Sequence, residues 1–383
     1  MKTSSFVVLL IVLATSSAQA DRPLGFWRPI DSAAADRTIG DAAIADINQD
    51  GRPDALVSLP ETGLVQLLLG SGDGRFSPAA TYAVAPGRGD LVLADVNSDG
   101  IPDLVVASAG LAALLGNADG TFGAPVYSGG SGMWMVSADF DRDGHVDVAS
   151  VGRNFPSSGI PRTVDVYRGN GDGSFAPPQY MFVSDNGIRA IAAGDMNGDG
   201  WPDLVIGESD SRALHVYLNQ GNLTFTAAAR VFIEVGPAAT AVADMDGNGI
   251  PDVLTADFTG TVSLFGGNGD GTLQPARVFP VGAGPASLDV VDIDLDGRPD
   301  VIVALDGGAV AVLLNAGGGV LAAPLLLDTG GHASFAAGVD VDNDGGVDVA
   351  ALHTTAVFGE AGSRTLSVFR NKVRPTGQQK RPK

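Results

Sequence analysis

No cysteine occurs in the 383 residues. That excludes disulfides, thiolate metal sites, a cysteine nucleophile and a lipid-anchored amino-terminal cysteine. Positive charge is scarce as well: 23 Lys and Arg stand against 44 Asp and Glu, for a net charge of −21. An acidic surplus of that size argues against a nucleic-acid partner. Long apolar runs are missing too. Phe6 to Ala14 is too short to span a bilayer, and no later stretch does better. With Lys2 before it and Ala18-Gln19-Ala20 after it, residues 1–20 read as a secretory signal peptide. The mature chain is expected to begin near Asp21 and to be secreted, periplasmic or on the cell surface. Catalytic signatures are also wanting. His145, His215, His332 and His353 do not recur at one repeat position, and neither H-E-x-x-H nor G-x-S-x-G appears. The expectation is a protein that is not an enzyme.

What the chain has in abundance is one acidic stretch of nine residues, repeated seven times. The copies are DINQDGRPD from Asp46, DVNSDGIPD from Asp95, DFDRDGHVD from Asp139, DMNGDGWPD from Asp195, DMDGNGIPD from Asp244, DIDLDGRPD from Asp292 and DVDNDGGVD from Asp340. Their first residues are 44 to 56 apart. A fixed period in that range marks a repeat architecture. Positions 1, 3, 5 and 9 of the copies hold 24 Asp and 4 Asn, more negative charge than the whole chain carries net. All four lysines (Lys2, Lys372, Lys380, Lys383) lie outside the repeats.

Each repeat reads as four short strands. In the first, AAIA precedes the acidic loop, ALVSL follows it, LVQLLLG comes next, and SPAATYAV closes the unit after the turn SGDGRF. That second turn recurs as NADGTF from Asn117, NGDGSF from Asn170 and NGDGTL from Asn268. It is degraded to QGNLTF from Gln220 and AGGGVL from Ala316. Asp-Gly between apolar runs is hairpin chemistry, so these residues are expected to shape a turn. Four strands in each of seven repeats imply an all-β fold, a seven-bladed β-propeller with four-stranded blades. The residue before each motif is small in five of seven cases, which suits strands crowded around an axis. The last repeat stops near Arg370 without a fourth strand, and Phe26 to Ala34 has the shape of the missing one. The last blade is therefore expected to be closed by the amino-terminal strand, leaving no open edge. The domain expectation is a propeller over 21–371, followed by a disordered basic tail over 372–383.

The acidic loop suits a hard divalent cation. Calcium takes six to eight oxygen ligands in irregular geometry, and the glycine at position 6 permits the turn around it. The candidate ligands are side-chain oxygens at positions 1, 3, 5 and 9 and the backbone carbonyl at position 7. In the first repeat these are Asp46, Asn48, Asp50, Arg52 and Asp54, and in the second Asp95, Asn97, Asp99, Ile101 and Asp103. The third has Asp139, Asp141, Asp143, His145 and Asp147, and the fourth Asp195, Asn197, Asp199, Trp201 and Asp203. The fifth has Asp244, Asp246, Asn248, Ile250 and Asp252, and the sixth Asp292, Asp294, Asp296, Arg298 and Asp300. The seventh has Asp340, Asp342, Asp344, Gly346 and Asp348. Up to seven Ca²⁺ are expected, with affinities of about 10⁻⁴–10⁻³ M in extracellular modules. An EF-hand is excluded: position 12 holds Val57, Val106, Ser150, Ile206, Thr255, Val303 and Ala351 in place of glutamate.

The acidic loops and GNGDGTF-like turns resemble the FG-GAP/VCBS repeat family, the seven-bladed propellers related to the integrin α head. The resemblance covers about Phe26 to Arg370. It implies calcium in the loop joining the first two strands of a blade. Integrins carry the loop in only some blades, whereas here all seven have it. A protein or glycan interaction or adhesion module follows, with an extracellular protein or glycan as partner. A calcium-dependent polysaccharide lyase or hydrolase, and a scaffold subunit of a secreted complex, are the alternatives. Long loops at 151–162 and 353–364 lie opposite the acidic loops, and Arg153, Asn154, Phe155 and Arg162 are candidate ligand contacts there. Arg88-Gly89-Asp90 spells a tripeptide that some integrins recognise.

Overall fold

The computed structural model describes residues 24–35, 40–87, 89–130, 132–152, 163–183, 187–354 and 364–373. The signal segment, Arg88, the contacts expected at Arg153, Asn154, Phe155 and Arg162, and the tail beyond Val373 lie outside the described residues. No described helix is long and apolar enough to cross a membrane.

The described strands form seven four-stranded antiparallel sheets, and in six of them the strands follow in chain order. The first sheet runs Ala42–Ala45, Asp54–Leu59, Leu64–Gly70 and Phe76–Ala83. The seventh is the exception. His332–Val339, Asp348–Thr354 and Arg364–Phe369 come from the end of the chain, and Ile30–Ala35 from its beginning supplies the outer strand. Ile30 pairs with Val368 and Ser32 with Leu366. Phe26 stands apart from that strand and forms a lone bridge with Asn371, as Phe122 does with Gly116 and Phe175 with Gly169. Ser32 also reaches the neighbouring sheet, its Oγ accepting a hydrogen bond from the Phe76 N–H at 2.9 Å. The first strands of consecutive blades touch one another, and that of blade 7 touches that of blade 1, so the ring closes on itself.

The burial pattern follows from strand position. Every residue of the second strand is buried in blades 1 to 6, which is why those strands are almost continuously apolar. Outer strands are mostly exposed, as in Phe225–Phe232, where Phe232 is 72% exposed. The core is divided. Its seven apolar clusters each lie between two consecutive blades, the cluster of Ala42, Ile44, Val57, Leu352 and Val368 filling the seam between blades 1 and 7. A blade has no core of its own, and its faces are buried only by its neighbours.

Candidate metal centre

Position 2 of each acidic loop is an anchor that the ligand spacing does not reveal. Ile47, Val96, Phe140, Met196, Met245, Ile293 and Val341 are all at most 2% exposed and plug the seams. The signal was in the sequence, since position 2 is apolar in every copy while its neighbours are Asp or Asn. With that side chain fixed inward, the acidic side chains at positions 1, 3 and 5 are left at the rim.

Backbone shape then gathers them. Position 6 has φ between 83° and 92° in all seven loops, where glycine alone is unstrained. Position 4 is also left-handed, at 56° for Gln49 and 61° for Leu295. The position-1 carboxylate accepts two backbone N–H groups of its own loop. In the first loop Asp50 N donates to Asp46 Oδ1 at 3.0 Å and Gly51 N to Asp46 Oδ2 at 2.9 Å, and the pattern recurs in all seven. Position 5 accepts from the position-7 N–H in every loop as well.

Position 9 has a second task. Asp54, Asp103, Asp147, Asp203, Asp252, Asp300 and Asp348 are 0% exposed and open the second strand of each blade. One oxygen of Asp103 accepts the Val96 N–H at 2.8 Å, and the other accepts the Gly116 N–H at 2.7 Å, just past the third strand. The same two bonds occur in every blade. Position 9 therefore ties the loop to the end of the third strand. It can serve a cation only through the lone pairs those bonds leave over.

In four blades the carboxylates converge closely enough for one ion. Oxygens of Asp139, Asp141 and Asp147 lie within 4.8 Å of one another, as do those of Asp244, Asp246 and Asp252, of Asp292, Asp294 and Asp300, and of Asp340, Asp342 and Asp344. The donors are all oxygen, the chemistry of a hard cation. Asp342 Oδ1 is buried without a hydrogen-bond partner. The electrostatics point the same way. Burial, with neighbouring carboxylates adding to it, raises Asp147 to about 7 and Asp348 to about 8. Burial and the charges of Asp296 and Asp292 raise Asp294 to about 6. A divalent cation between these groups reverses that rise. The residues fit calcium, which would supply charge neutralisation and cross-link positions 1, 3 and 5. The position-7 side chain covers the second turn in blade 3, where a Cβ on Gly171 would fall 2.3–2.7 Å from the His145 ring. In the second turns, Asp119 Oδ1 accepts the Thr121 N–H at 3.0 Å, and Asp172 does the same for Ser174. These residues shape the turn, as their composition suggests.

A propeller built from acidic-loop repeats is the class these features define. A model for the FG-GAP-like repeat matches residues 46–106, 95–150, 139–206, 195–255, 244–303 and 292–351, and the chain belongs to that family. Among solved structures it is similar to BBS1N in complex with ARL6DN. A crystal soaked with lead gives a TM-score of 0.63 at 11% identity, covering 92% of this chain and 98% of that one. A crystal soaked with mercury gives 0.61 at 10% identity over the same shares. At that identity the likeness is one of fold.

Proposed function

We propose that this chain is a calcium-binding propeller that works outside the cytoplasm as a protein-binding module. The observation that carries the calcium part is the sevenfold recurrence of one loop wiring, down to the same pairs of N–H bonds. Turns that needed only shape would not require acid at 24 of 28 side-chain positions. Asp46, Asn48 and Asp50, and their counterparts in the other blades, would hold the ion, with the position-7 carbonyl beside them. The reading of residues 1–20 as a signal peptide supports the extracellular setting. The protein partner rests on the fold, since BBS1N is a propeller solved with a protein bound to it. With all seven loops loaded, net charge after loss of the leader would fall from −22 to −8.

Calcium titration by calorimetry, with melting in calcium and in EDTA, tests the reading. At a hundredfold excess over Kd each occupied site adds about 2.7 kcal/mol. All seven sites together would raise the melting temperature by about 25 degrees. Equal melting in calcium and EDTA defeats it. Pull-downs from the native extracellular fluid, with and without EDTA, test the partner. A glycan array run in parallel reveals a carbohydrate ligand instead.

A further inference from the structure

The seven loops are not equally charged. Those of blades 3, 6 and 7 carry aspartate at positions 1, 3, 5 and 9, whereas each of the other four carries one asparagine. In each of these three loops an arginine touches the carboxylates. Arg168 donates from Nε to Asp141 Oδ2 at 2.5 Å and from Nη2 to Asp143 Oδ2 at 2.7 Å. Arg298 pairs with Asp296, and Arg370 Nη1 lies 3.4 Å from Asp342 Oδ2. In three of the other loops the asparagine amide makes the corresponding contact. Asn48, Asn97 and Asn197 donate to the outer oxygen of Asp50, Asp99 and Asp199 at 3.3, 2.8 and 2.8 Å. The extra negative charge of blades 3, 6 and 7 is thus met by a guanidinium; blade 1 has a longer contact of this kind, Arg52 Nη1 to Asp50 Oδ2 at 3.9 Å.

Arg168 and Arg370 occupy one repeat position, the residue before the glycine or asparagine whose N–H bonds the position-9 aspartate. Leucine stands there in blades 1, 2, 4 and 6 as Leu69, Leu115, Leu218 and Leu314. Arg168 reaches furthest, because it bridges positions 3 and 5, two side chains that would hold the ion.

We propose that Arg168 is a built-in counter-cation of the blade-3 loop, which holds that loop formed without metal and makes it a weak calcium site despite its four carboxylates. This rests on reading the loops as calcium sites. A divalent ion entering between Asp141 and Asp143 meets a positive charge already hydrogen-bonded to both, and Coulomb repulsion lowers its affinity. Without the metal, the same arginine keeps two close carboxylates from repelling one another.

The test is calorimetric calcium titration of the full chain, with melting in EDTA, for wild type, Arg168→Leu and Arg168→Lys. Leucine is what the fold accepts at this position in four other blades, so Arg168→Leu should fold. The expected result is that R168L tightens one calcium equivalent by about tenfold or more. The same variant should melt lower than wild type in EDTA. R168K should stay close to wild type in both readouts. If wild type takes up no calcium, the loops are not calcium sites. If wild type binds calcium while R168L shows unchanged or weaker binding, the counter-cation is refuted and the calcium reading stands. R168L melting with wild type in EDTA refutes it too.

Discussion

Blades 3 and 5 and blades 4, 6 and 7 solve one packing problem in two ways. In five of the acidic loops the position-2 carbonyl takes its donor from the next blade. Blades 3 and 5 supply it from the second turn. Gly173 N donates to Val96 O at 3.2 Å, and Gly271 N to Met196 O at 3.1 Å. In blades 4 and 6 the turn has lost its Asp-Gly, and blade 7 has no such turn. These three place an asparagine at the close of the third strand where the other four have glycine. Asn219 Nδ2 donates to Phe140 O at 2.8 Å, Asn315 Nδ2 to Met245 O at 2.7 Å, and Asn371 Nδ2 to Ile293 O at 2.8 Å. In blades 4 and 6, decay of the turn is therefore compensated within the same blade, 15 or 16 residues beyond the acidic loop's last aspartate. A degraded repeat is a second design, with its own donor.

Breaking the asparagine lock should have the largest effect. Asn371 is 0% exposed, and its amide also donates to Val347 O at 2.9 Å while its Oδ1 accepts the Val373 N–H at 3.0 Å. Asn371→Ala removes these bonds and leaves buried carbonyls with fewer donors. Denaturant unfolding is expected to show a loss of about 3 kcal/mol or more. The loss should exceed that of a surface substitution on the same blade, and a loss under about 1 kcal/mol would mean that the bonds carry no weight.

The glycine design should break by a different route, with a smaller effect. A Cβ at Gly169 would lie 2.2 Å from Val146 O, and one at Gly267 would lie 2.2 Å from Pro251 O. The backbone passes too close to the position-8 carbonyl for any side chain. Gly169→Ala is expected to cost about 2 kcal/mol through strain. Gly169→Asn should cost at least as much and bring no rescue, because the asparagine blades must seat their Cβ on a different backbone path. Denaturant unfolding of Gly169→Asn at wild-type stability would show that the two designs interchange freely.

Much of this is legible in the sequence. The period, the strand count and the missing last strand implied a ring stitched at its ends, and Ile30–Ala35 lies beside Arg364–Phe369 as that balance required. The Gly-to-Asn exchange at 219, 315 and 371 was visible as letters. Its meaning was not, because the carbonyl each amide reaches lies 70 to 79 residues away. Position 9 was legible only in part, for a similar reason. Spacing marks it as a ligand, and only the fold shows both its oxygens accepting N–H groups from two different segments. Arg168 gave no local sign at all, since it lies 25 residues beyond Asp143 and meets it only across a blade.

At the other end of the first strands the contrast takes a different form, and pH should expose it. There the seam between blades 1 and 2 is closed by a carboxylate, Asp41 Oδ2 accepting the Leu91 N–H at 3.0 Å, with Asp41 Oδ1 taking the Ala42 N–H at 2.9 Å. Burial, and then the charge of Asp90, raise Asp41 from 3.8 to about 7. In the loops, burial raises Asp300 and Asp348 to about 8. A carboxylate whose pKa is higher folded than unfolded keeps its proton longer in the native state. Its contribution to stability is complete below the unfolded pKa and is lost as pH rises through the folded one. In EDTA the melting temperature should therefore fall as pH rises from about 4 to about 8, with loops and seam contributing together. Calcium should reverse the loop share, because it favours the ionised carboxylates, so that the loops gain stability as pH rises while only the Asp41 share still declines, ending near its value of about 7. Asp41→Asn should remove that declining share in calcium, steepening the rise with pH, while leaving the EDTA slope above pH 7 in place. A melting temperature that rises with pH over this window in EDTA would mean that the buried carboxylates are ionised in the metal-free fold, held so by their N–H donors alone.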